Sequence, residues 1–232
     1  MNHVELMDAY CDYRSQLRNE GFGIRPVLNF DEVIDVISDF EKIEITPRLS
    51  PLQNDFTTEN SFWLLLEVDG NAIGGVCARV DELRGEPFNE YLIRTARRHY
   101  GEKGVVEVPD FLAENRYNTV AYIGEFFKKR EYRGDVAASE LFLKCAFCVL
   151  FLKWRPDWMY AFLRSHEVQK NACNRYGFST QIPNAQTWLN PPHGRSSDEW
   201  LVGMTAAEFS HMVSCRSLYP VKPHRREGDS RS

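Results

Sequence analysis

The sequence lacks a hydrophobic run long enough to cross a membrane. Its most apolar stretch, Leu141 to Leu152, is interrupted by Lys144 and falls short of the roughly 18 apolar residues that a transmembrane helix needs. The N-terminal residues Met-Asn-His-Val-Glu include an acidic side chain and no apolar segment, so we predict no secretory signal. We therefore expect a soluble, cytoplasmic protein without a membrane partner.

An excess of positive charge is also absent. The 232 residues carry a net charge of -5, and 43% of them are hydrophobic. Domains that bind nucleic acid normally carry a basic surface, so the charge balance disfavours nucleic acid as a partner, although a local basic patch can still bind a small anion. The length and composition are typical of a globular chain with a sizeable core.

The six cysteines form neither a disulfide framework nor the paired knuckles of a zinc site. Cys145 and Cys148 make a C-x-x-C pair, but it lies inside an apolar helical run. Thiols in such a position usually act as small buried hydrophobes. We therefore predict no metal site and a reducing compartment.

The apolar pattern that is present predicts a mixed α/β chain. An amphipathic helix over 3–19, a short edge strand over 24–28 and a β-hairpin around the D-G turn at 69–70 open the chain. Residues 205–208 form a capping box that predicts a last helix. We expect one domain over 1–215 with its core at about 22–204, an insertion at about 84–118 with its own helix and short strand, and a disordered tail over 216–232.

The stretch from Thr119 to Trp154 is predicted to form a buried strand, a short basic loop with one glycine and a long apolar helix. Such a loop points backbone N–H groups and a helix N-terminus at one spot, which favours phosphate binding. A further buried strand predicted over 158–163 makes a right-handed parallel crossover the expected connection. Ser165 is then predicted to cap a helix that reaches Tyr176.

Four segments, in order along the chain, resemble motifs of the GCN5-related N-acetyltransferase (GNAT) superfamily. They are Ile24-Arg25-Pro26 with Asp31, Glu67-Val68-Asp69-Gly70 with Gly74, Tyr132-Arg133-Gly134 before a long helix, and Asn174-Arg175-Tyr176-Gly177-Phe178. Each motif is short, and the resemblance rests on their order and spacing. It implies an α/β fold (an α+β mixed sheet) with splayed fourth and fifth strands, an extra N-terminal helix and an insertion before the fourth strand.

The resemblance also implies that an acyl-CoA, such as acetyl-CoA, lies in the wedge between the splayed strands. The family's loop pattern is Arg or Gln, two residues, Gly, one residue, then Gly or Ala. Aligned on Arg133 it ends at Ala138, with Val136 where the family usually has glycine. In the first turn of a helix the Cβ of a valine can point aside and leave its N–H accessible. The residues so assigned to the cofactor are Phe126, Phe127, Lys128, Arg133, Gly134, Asp135, Val136, Ala137, Ala138, Ser139 and His166.

The catalytic candidates are Glu125, Cys173 and Tyr176. Direct acyl transfer needs a neutral amine, a donor to the oxyanion and a proton for the leaving thiolate. Glu125, with Glu107 as a further carboxylate, is the candidate base if burial raises its pKa; alternatively, Glu125 faces solvent or an ion-pair partner. Cys173 stands where the family often has a tyrosine that protonates the thiolate, or it serves only packing. Tyr176 falls at a core position of the family and is expected to face inward.

The function that the resemblance implies is transfer of a short acyl group from acyl-CoA to an amino group of a small-molecule or protein acceptor. Two alternatives stay open: a non-catalytic module of the same fold, and an acyltransferase that takes its acyl group from acyl carrier protein. A homodimer is also left open. The insertion at 84–118 and the loop at 183–197 are expected to select the acceptor, with Trp188, His193 and Arg195 as candidate contacts.

Overall fold

The structure, a computed structural model, is described over residues 2–38, 40, 45–101, 104–114, 117–218 and 221. The helices in these ranges are α1 (His3–Asn19), α2 (Phe30–Ser38), α3 (Phe88–Tyr100), α4 (Val136–Trp154), α5 (Ser165–Gln169), α6 (Ala172–Tyr176) and α7 (Ala206–Ser214). The strands are β1 (Gly23–Val27), β2 (Ser61–Val68), β3 (Asn71–Glu82), β4 (Val105–Glu107), β5 (Thr119–Lys128), β6 (Trp158–Leu163), β7 (Thr180–Ile182), β8 (Thr187–Trp188) and β9 (Trp200–Thr205).

Seven strands form one mixed sheet in the order β1-β2-β3-β5-β6-β9-β7. Neighbouring strands are antiparallel except β5 and β6, which run parallel and are connected through α4. Pro26 lies in β1 at one edge of the sheet, where a missing backbone N–H does least harm. The edge strand, the hairpin of β2 and β3, and the parallel pair confirm the predicted mixed α/β fold.

Apolar side chains alternate along the central strands and build a core on each side of the sheet. Helices α1, α4 and α7 cover one side, which we call the α4 face; Phe142, Phe147 and Phe209 are fully buried there. Helices α2 and α3 cover the other side, which we call the α3 face; Trp63 and Phe88 are fully buried there. Each face therefore has its own hydrophobic support.

The parallel strands β5 and β6 separate after a short contact. Their register consists of three residue pairs and ends at the pair Tyr122–Tyr160, although β5 continues to Lys128. The edge of β5 from Ile123 onward therefore faces a gap where β6 no longer pairs with it. This separation is the splay of the central strands that the sequence predicts.

The insertion at 84–118 forms α3 and β4, and β4 pairs with β8 in a small second sheet. The ring of Tyr100, at the end of α3, meets the Trp188 ring edge-on with centroids 5.1 Å apart. The two segments expected to select the acceptor thus lie against each other. Sequence analysis finds the β4 strand but not this pairing, because β8 has only two residues.

Two local predictions near the C-terminal strands are wrong. Arg164, not Ser165, is the N-cap residue of α5. The single helix predicted as far as Tyr176 is two short helices, divided at Asn171, which has a φ of +65°. In the predicted tail, residues 216–218 form a 3₁₀ turn, and residues 219–220 and 222–232 lie outside the described residues.

Candidate active site

The gap between β5 and β6 begins next to a β-bulge. In the pairing of β3 with β5, Cys77 faces Gly124 and Gly75 faces Phe127, so β5 carries one extra residue between these pairs. Glu125 lies in the bulge with a φ of +57°, a left-handed conformation that is uncommon for a residue with a side chain. Bulges re-aim side chains and backbone groups and are frequent beside active sites.

The Glu125 side chain is buried, and its Oε1 accepts the backbone N–H of Thr46 at 2.9 Å. The interpretation of Glu125 as a solvent-facing residue is therefore wrong. Glu107, the other carboxylate considered, lies exposed on β4. Glu125 thus stands at the opening of the gap, where it connects β5 to the segment that begins at Thr46.

The loop after β5 is closed by its own polar contacts. The Lys128 ammonium is turned inward and donates to the Asp135 carbonyl at 2.7 Å, and Arg133 Nε donates to the Lys128 carbonyl at 3.2 Å. The Asp135 carboxylate caps α4 by accepting the Ala138 N–H at 3.0 Å, and the Ser139 hydroxyl donates to the Asp135 carbonyl at 2.9 Å. These bonds hold the start of α4 in one position against the end of β5.

Three backbone donors remain available at this helix start. The N–H groups of Gly134, Val136 and Ala137 have no hydrogen-bond partner in the described part of the chain. Val136 is 39% exposed, so this residue lies at the surface of the helix start. A Cβ at Gly134 would meet no atom within 4 Å, so glycine is not required there by space. Free N–H groups at a helix N-terminus suit a phosphate group.

The basic residues of the loop differ in their surroundings. Burial lowers the pKa of Lys128 to about 8, although the Asp135 carboxylate opposes this effect. Arg130 and Arg133 are exposed, and the Lys129 ammonium lies 5.2 Å from the centre of the Phe40 ring. The loop therefore combines one inward ammonium, which closes it, with guanidinium groups that reach solvent.

The candidate acids lie on the α4 face beyond the loop. The Tyr176 ring meets the Phe126 ring edge-on at 6.5 Å, and burial raises the pKa of Tyr176, so its phenol stays protonated at neutral pH. Cys173 is buried in the core, and burial raises its pKa; this environment favours its packing role. His166 is exposed on α5. The structure thus brings Tyr176 to β5 beyond Tyr122, and leaves His166 on the surface.

Arg48 lies on the α3 face where the strands separate. Its guanidinium carbon is 5.1 Å from the centre of the Tyr122 ring on β5 and 5.3 Å from that of Phe162 on β6. Arg48 is 3% exposed, and none of its three guanidinium nitrogens has a hydrogen-bond partner in the described part of the chain. The sequence does not single out this residue, since one arginine between Pro47 and Leu49 gives no periodic or motif signal.

Other charged groups on the α3 face are paired. Arg79 donates to the Asp81 carboxylate through Nε, at 2.8 Å, and through Nη2, and its Nη1 donates to Asn54 Oδ1 at 3.0 Å. The Tyr91 hydroxyl donates to Asp81 at 2.8 Å and lies 3.3 Å from the Tyr160 hydroxyl. This network contrasts with the bare guanidinium of Arg48.

The loop at 183–197 contributes buried polar residues beside Phe162. Arg195 forms an ion pair with Glu199 at 3.2 Å, and its guanidinium lies 5.3 Å from the Phe162 ring and 5.7 Å from the Trp188 ring. Gln186 is buried, and neither its amide oxygen nor its amide nitrogen has a hydrogen-bond partner. Trp188 is also buried, while His193 is exposed. Two of the three predicted acceptor contacts thus lie near the gap.

Other kinds of site find little support in the described residues. They contain no group of three or more His, Cys, Asp or Glu side chains arranged for a metal ion, and none of their helices is long and apolar enough to cross a membrane. An open groove of about 490 Å³ runs along residues 28–31, 51 and 56–58. It includes none of the predicted site residues, so we place the site at the gap on chemical grounds.

Comparison with known proteins identifies the fold. No model of a protein family matches the sequence, and a search of curated proteins finds no match. Among solved structures, FeeM, an N-acyl amino acid synthase from uncultured soil microbes, superposes with a TM-score of 0.51 at 12% identity, covering 86% of this chain and 98% of FeeM. Mutant forms of the Vibrio cholerae spermidine/spermine N-acetyltransferase SpeG reach a TM-score of 0.47 at 9% identity, covering 82% and 97%. The chain has the GNAT-type acyltransferase fold, and the similarity to FeeM shows that fold alone.

Proposed function

We propose that this chain is an N-acyltransferase that moves an acyl group from an acyl thioester of coenzyme A to the amino group of an acceptor. The observation that carries the proposal is the separation of β5 from β6 beside a helix start with three free N–H groups. The unpaired edge of β5 and the N–H groups that can bind an anion at the start of α4 then lie next to each other. The fold of FeeM, which is described as an N-acyl amino acid synthase, is consistent with this reaction class.

The donor is proposed to bind along β5 and the loop. The backbone of Phe126, Phe127 and Lys128 pairs with the amide groups of pantetheine, which a strand edge can do in place of a neighbouring strand. The pyrophosphate binds the N–H groups of residues 134–137, and exposed Arg133 adds a charged contact. Asp135 remains the cap of α4, and its carboxylate limits the affinity for the phosphates.

The transfer itself requires few groups. The amine attacks the thioester carbonyl when the amine is neutral, and the proposed donor to the oxyanion is a backbone N–H of the β5 bulge. Glu125 is the proposed base because it is buried at the gap. Tyr176 is the proposed acid for the leaving thiolate, since it packs on Phe126 and burial raises its pKa so that it keeps its proton. Cys173 stays the weaker candidate because its thiol lies in the core.

One observation favours acyl carrier protein as the donor instead. The Asp135 carboxylate occupies the N–H of Ala138 and repels a pyrophosphate at the same helix start, whereas exposed Arg130 and Arg133 suit the acidic surface of a carrier. The two donors share the pantetheine arm, so the residues proposed along β5 serve either one.

The test is titration calorimetry with acetyl-CoA and longer acyl-CoAs, together with thiol release over a panel of amines. We expect binding and turnover, with affinity for CoA reduced about tenfold or more by Arg133→Glu. The matched control is Arg84→Glu, whose parent side chain is 84% exposed and lies away from the loop. Turnover with acyl carrier protein but not with acyl-CoA would select the second donor. Neither binding nor turnover with either donor would leave the non-catalytic module as the correct reading.

A further inference from the structure

We propose that Arg48 binds a carboxylate of the acceptor, so that the enzyme acylates amines that carry a carboxylate close to the amino group. This inference rests on the proposed acyl transfer and names the substrate class of the same site. It is carried by a buried guanidinium that has no hydrogen-bond partner among the described residues and that stands where the two central strands part.

The position of Arg48 is defined by contacts to β5. Glu125 accepts the N–H of Thr46, two residues before Arg48, and a Cβ at Gly124 would lie 3.1 Å from Leu49, one residue after it. The segment that carries Arg48 is therefore clamped to the bulge at the start of the gap. Its guanidinium spans from Tyr122, the last residue of β5 that pairs with β6, to Phe162 on the separated part of β6.

The chemistry around Arg48 favours binding of an anion. A buried charge without a partner is costly, and such groups in folded proteins are normally paired. Arg79 on the same face has Asp81 as its partner, and the Arg195 guanidinium has Glu199. The Arg48 charge also lowers the pKa of Glu199, although burial raises it more, but the Glu199 carboxylate makes its ion pair with Arg195. Among the described buried arginines of this region, Arg48 is the one left without a carboxylate.

The groups closest to Arg48 do not supply a negative charge. Burial raises the pKa of Tyr160 to about 12 despite the opposing effect of Arg48, so this phenol is neutral at physiological pH. Tyr122 and Phe162 offer ring faces, which attract a guanidinium but leave its in-plane N–H groups free. Those N–H groups form the planar fork that binds a carboxylate in two parallel hydrogen bonds.

The proposed donor site and the proposed acceptor site lie on different faces of the sheet. The donor loop, α4 and Tyr176 lie on the α4 face, whereas Arg48 lies on the α3 face with Tyr122 and Phe162. A carboxylate held by Arg48 places the rest of the acceptor at the gap, with its amine toward the thioester. The rings of Tyr100 and Trp188 meet edge-on, and the Arg195 guanidinium lies between the Trp188 ring and the Phe162 ring, at 5.7 Å and 5.3 Å. With aromatic rings on this side, the acceptor best suited to the site is an α-amino acid with an apolar or aromatic side chain.

The first test needs only the wild-type protein. Rates of thiol release are compared for amino acids and their decarboxylated counterparts: phenylalanine with phenethylamine, tyrosine with tyramine, and leucine with isoamylamine. We expect kcat/KM to be about tenfold to hundredfold higher for the acids at equal concentrations of neutral amine. Equal or higher values for the decarboxylated amines would overturn the proposal while leaving acyl transfer intact.

The second test uses Arg48→Met and Arg48→Lys, with Arg84→Met as the matched exposed control. We expect Arg48→Met to raise KM for the amino acid about tenfold or more and to leave KM for the amine unchanged. Arg48→Lys should restore part of the affinity, because it keeps the charge but loses the planar fork. A direct readout is the affinity of each protein for an N-acyl amino acid, measured by calorimetry without turnover.

The outcomes separate the two proposals. Retained binding of acyl-CoA and turnover of amines, with no difference between acid and amine, refutes the carboxylate site only. Loss of acyl-CoA binding in Arg48→Met, with circular dichroism unchanged, also refutes it, because Arg48 would then serve the donor. No turnover of any amine by the wild-type protein refutes acyl transfer, and the proposal about its acceptor is refuted with it.

Discussion

The two faces of the gap between β5 and β6 hold positive charge in different ways. On the α4 face the donor loop uses backbone N–H groups and exposed guanidinium groups, and only Lys128 is buried. On the α3 face Arg48, Arg79 and Arg195 are arginines whose side chains are almost fully buried, and each guanidinium lies within 6 Å of the centre of an aromatic ring. The first site is therefore much more exposed to solvent than the second.

This difference predicts how each face responds to change. Backbone donors do not depend on side-chain identity, so Val136 can replace a glycine as long as its side chain points to solvent. Leaving a buried guanidinium without a partner costs far more free energy than leaving an exposed one unpaired, because the surrounding dielectric is low. We therefore expect substitutions on the α4 face to change donor affinity modestly. Substitutions on the α3 face should cause large changes in stability or specificity.

The largest expected effect separates two arginines of the α3 face. Arg79→Met leaves the Asp81 carboxylate, whose side chain is 18% exposed, without its cation, so we expect the free energy of unfolding to fall by up to roughly 3–5 kcal/mol. Arg48→Met removes a buried charge that has no partner, so unfolding in urea should require as much denaturant as for wild type, or more. Equal losses for the two variants would mean that Arg48 has a structural partner in the folded protein.

Glu125→Gln probes the point where both faces meet. The amide keeps an oxygen that can accept the Thr46 N–H, but it cannot take a proton from the amine. If Glu125 is the base, kcat should fall by about 100-fold or more with little change in melting temperature. A fall in melting temperature with kcat nearly unchanged would show that Glu125 only clamps the segment that carries Arg48.

A comparison of Tyr176→Phe with Cys173→Ala tests which residue of the α4 face protonates the leaving thiolate. We expect Tyr176→Phe to lower kcat about tenfold or more, because the leaving thiolate loses its proton donor. Cys173→Ala should leave kcat within about twofold and cost on the order of 1 kcal/mol of stability through lost packing. Steady-state kinetics and thermal unfolding of the two variants provide the measurement, and the reverse ranking of kcat would assign the acid to Cys173.

A further expected effect is a pH dependence that belongs to Lys128. Its pKa in the folded protein is about 8, against 10.5 as the ordinary value. Between these values the unfolded chain binds more protons, so this group makes the free energy of unfolding rise as pH rises from 8 to 10.5. Over the same range the affinity for acyl-CoA should fall as the ammonium loses its charge.

Lys128→Met supplies the control for that measurement. The difference in unfolding free energy between wild type and this variant should increase from pH 8 to 10.5. The affinity for an N-acyl amino acid should stay constant over this range, because Arg48 does not titrate there. A difference that is flat with pH would show that Lys128 is not desolvated in solution.

Much of the secondary structure was predictable from the sequence because its signals are local. The D-G turn, the proline in the first strand, the capping box at Thr205 and the long apolar run of α4 act over a few residues and survive in the fold. The break at Asn171 was not predictable, since apolar positions of α5 and α6 continue one helical pattern across it.

The candidate site also has one part that was predictable from the sequence and one part that was not. The loop from Lys128 to Ser139 is contiguous, so its chemistry is visible in the sequence. The α3 face is assembled from residues 48, 79, 122, 162 and 195, which come from five separate segments and have no common spacing. Burial of Arg48 depends on all of these segments packing together, and no short-range pattern records it.

The sequence by itself determined that the chain is a mixed α/β protein with a strand, a basic loop and a helix suited to an anion. Periodicity, turn chemistry and capping act through neighbouring residues, which is why these features need no long-range information. Only the tertiary structure decided that β5 and β6 part after Tyr122 and that the insertion packs against the loop at 183–197. It also decided that Arg48 lies where these strands part, with no hydrogen-bond partner among the described residues, because pairing of a buried charge depends on which distant side chains reach it.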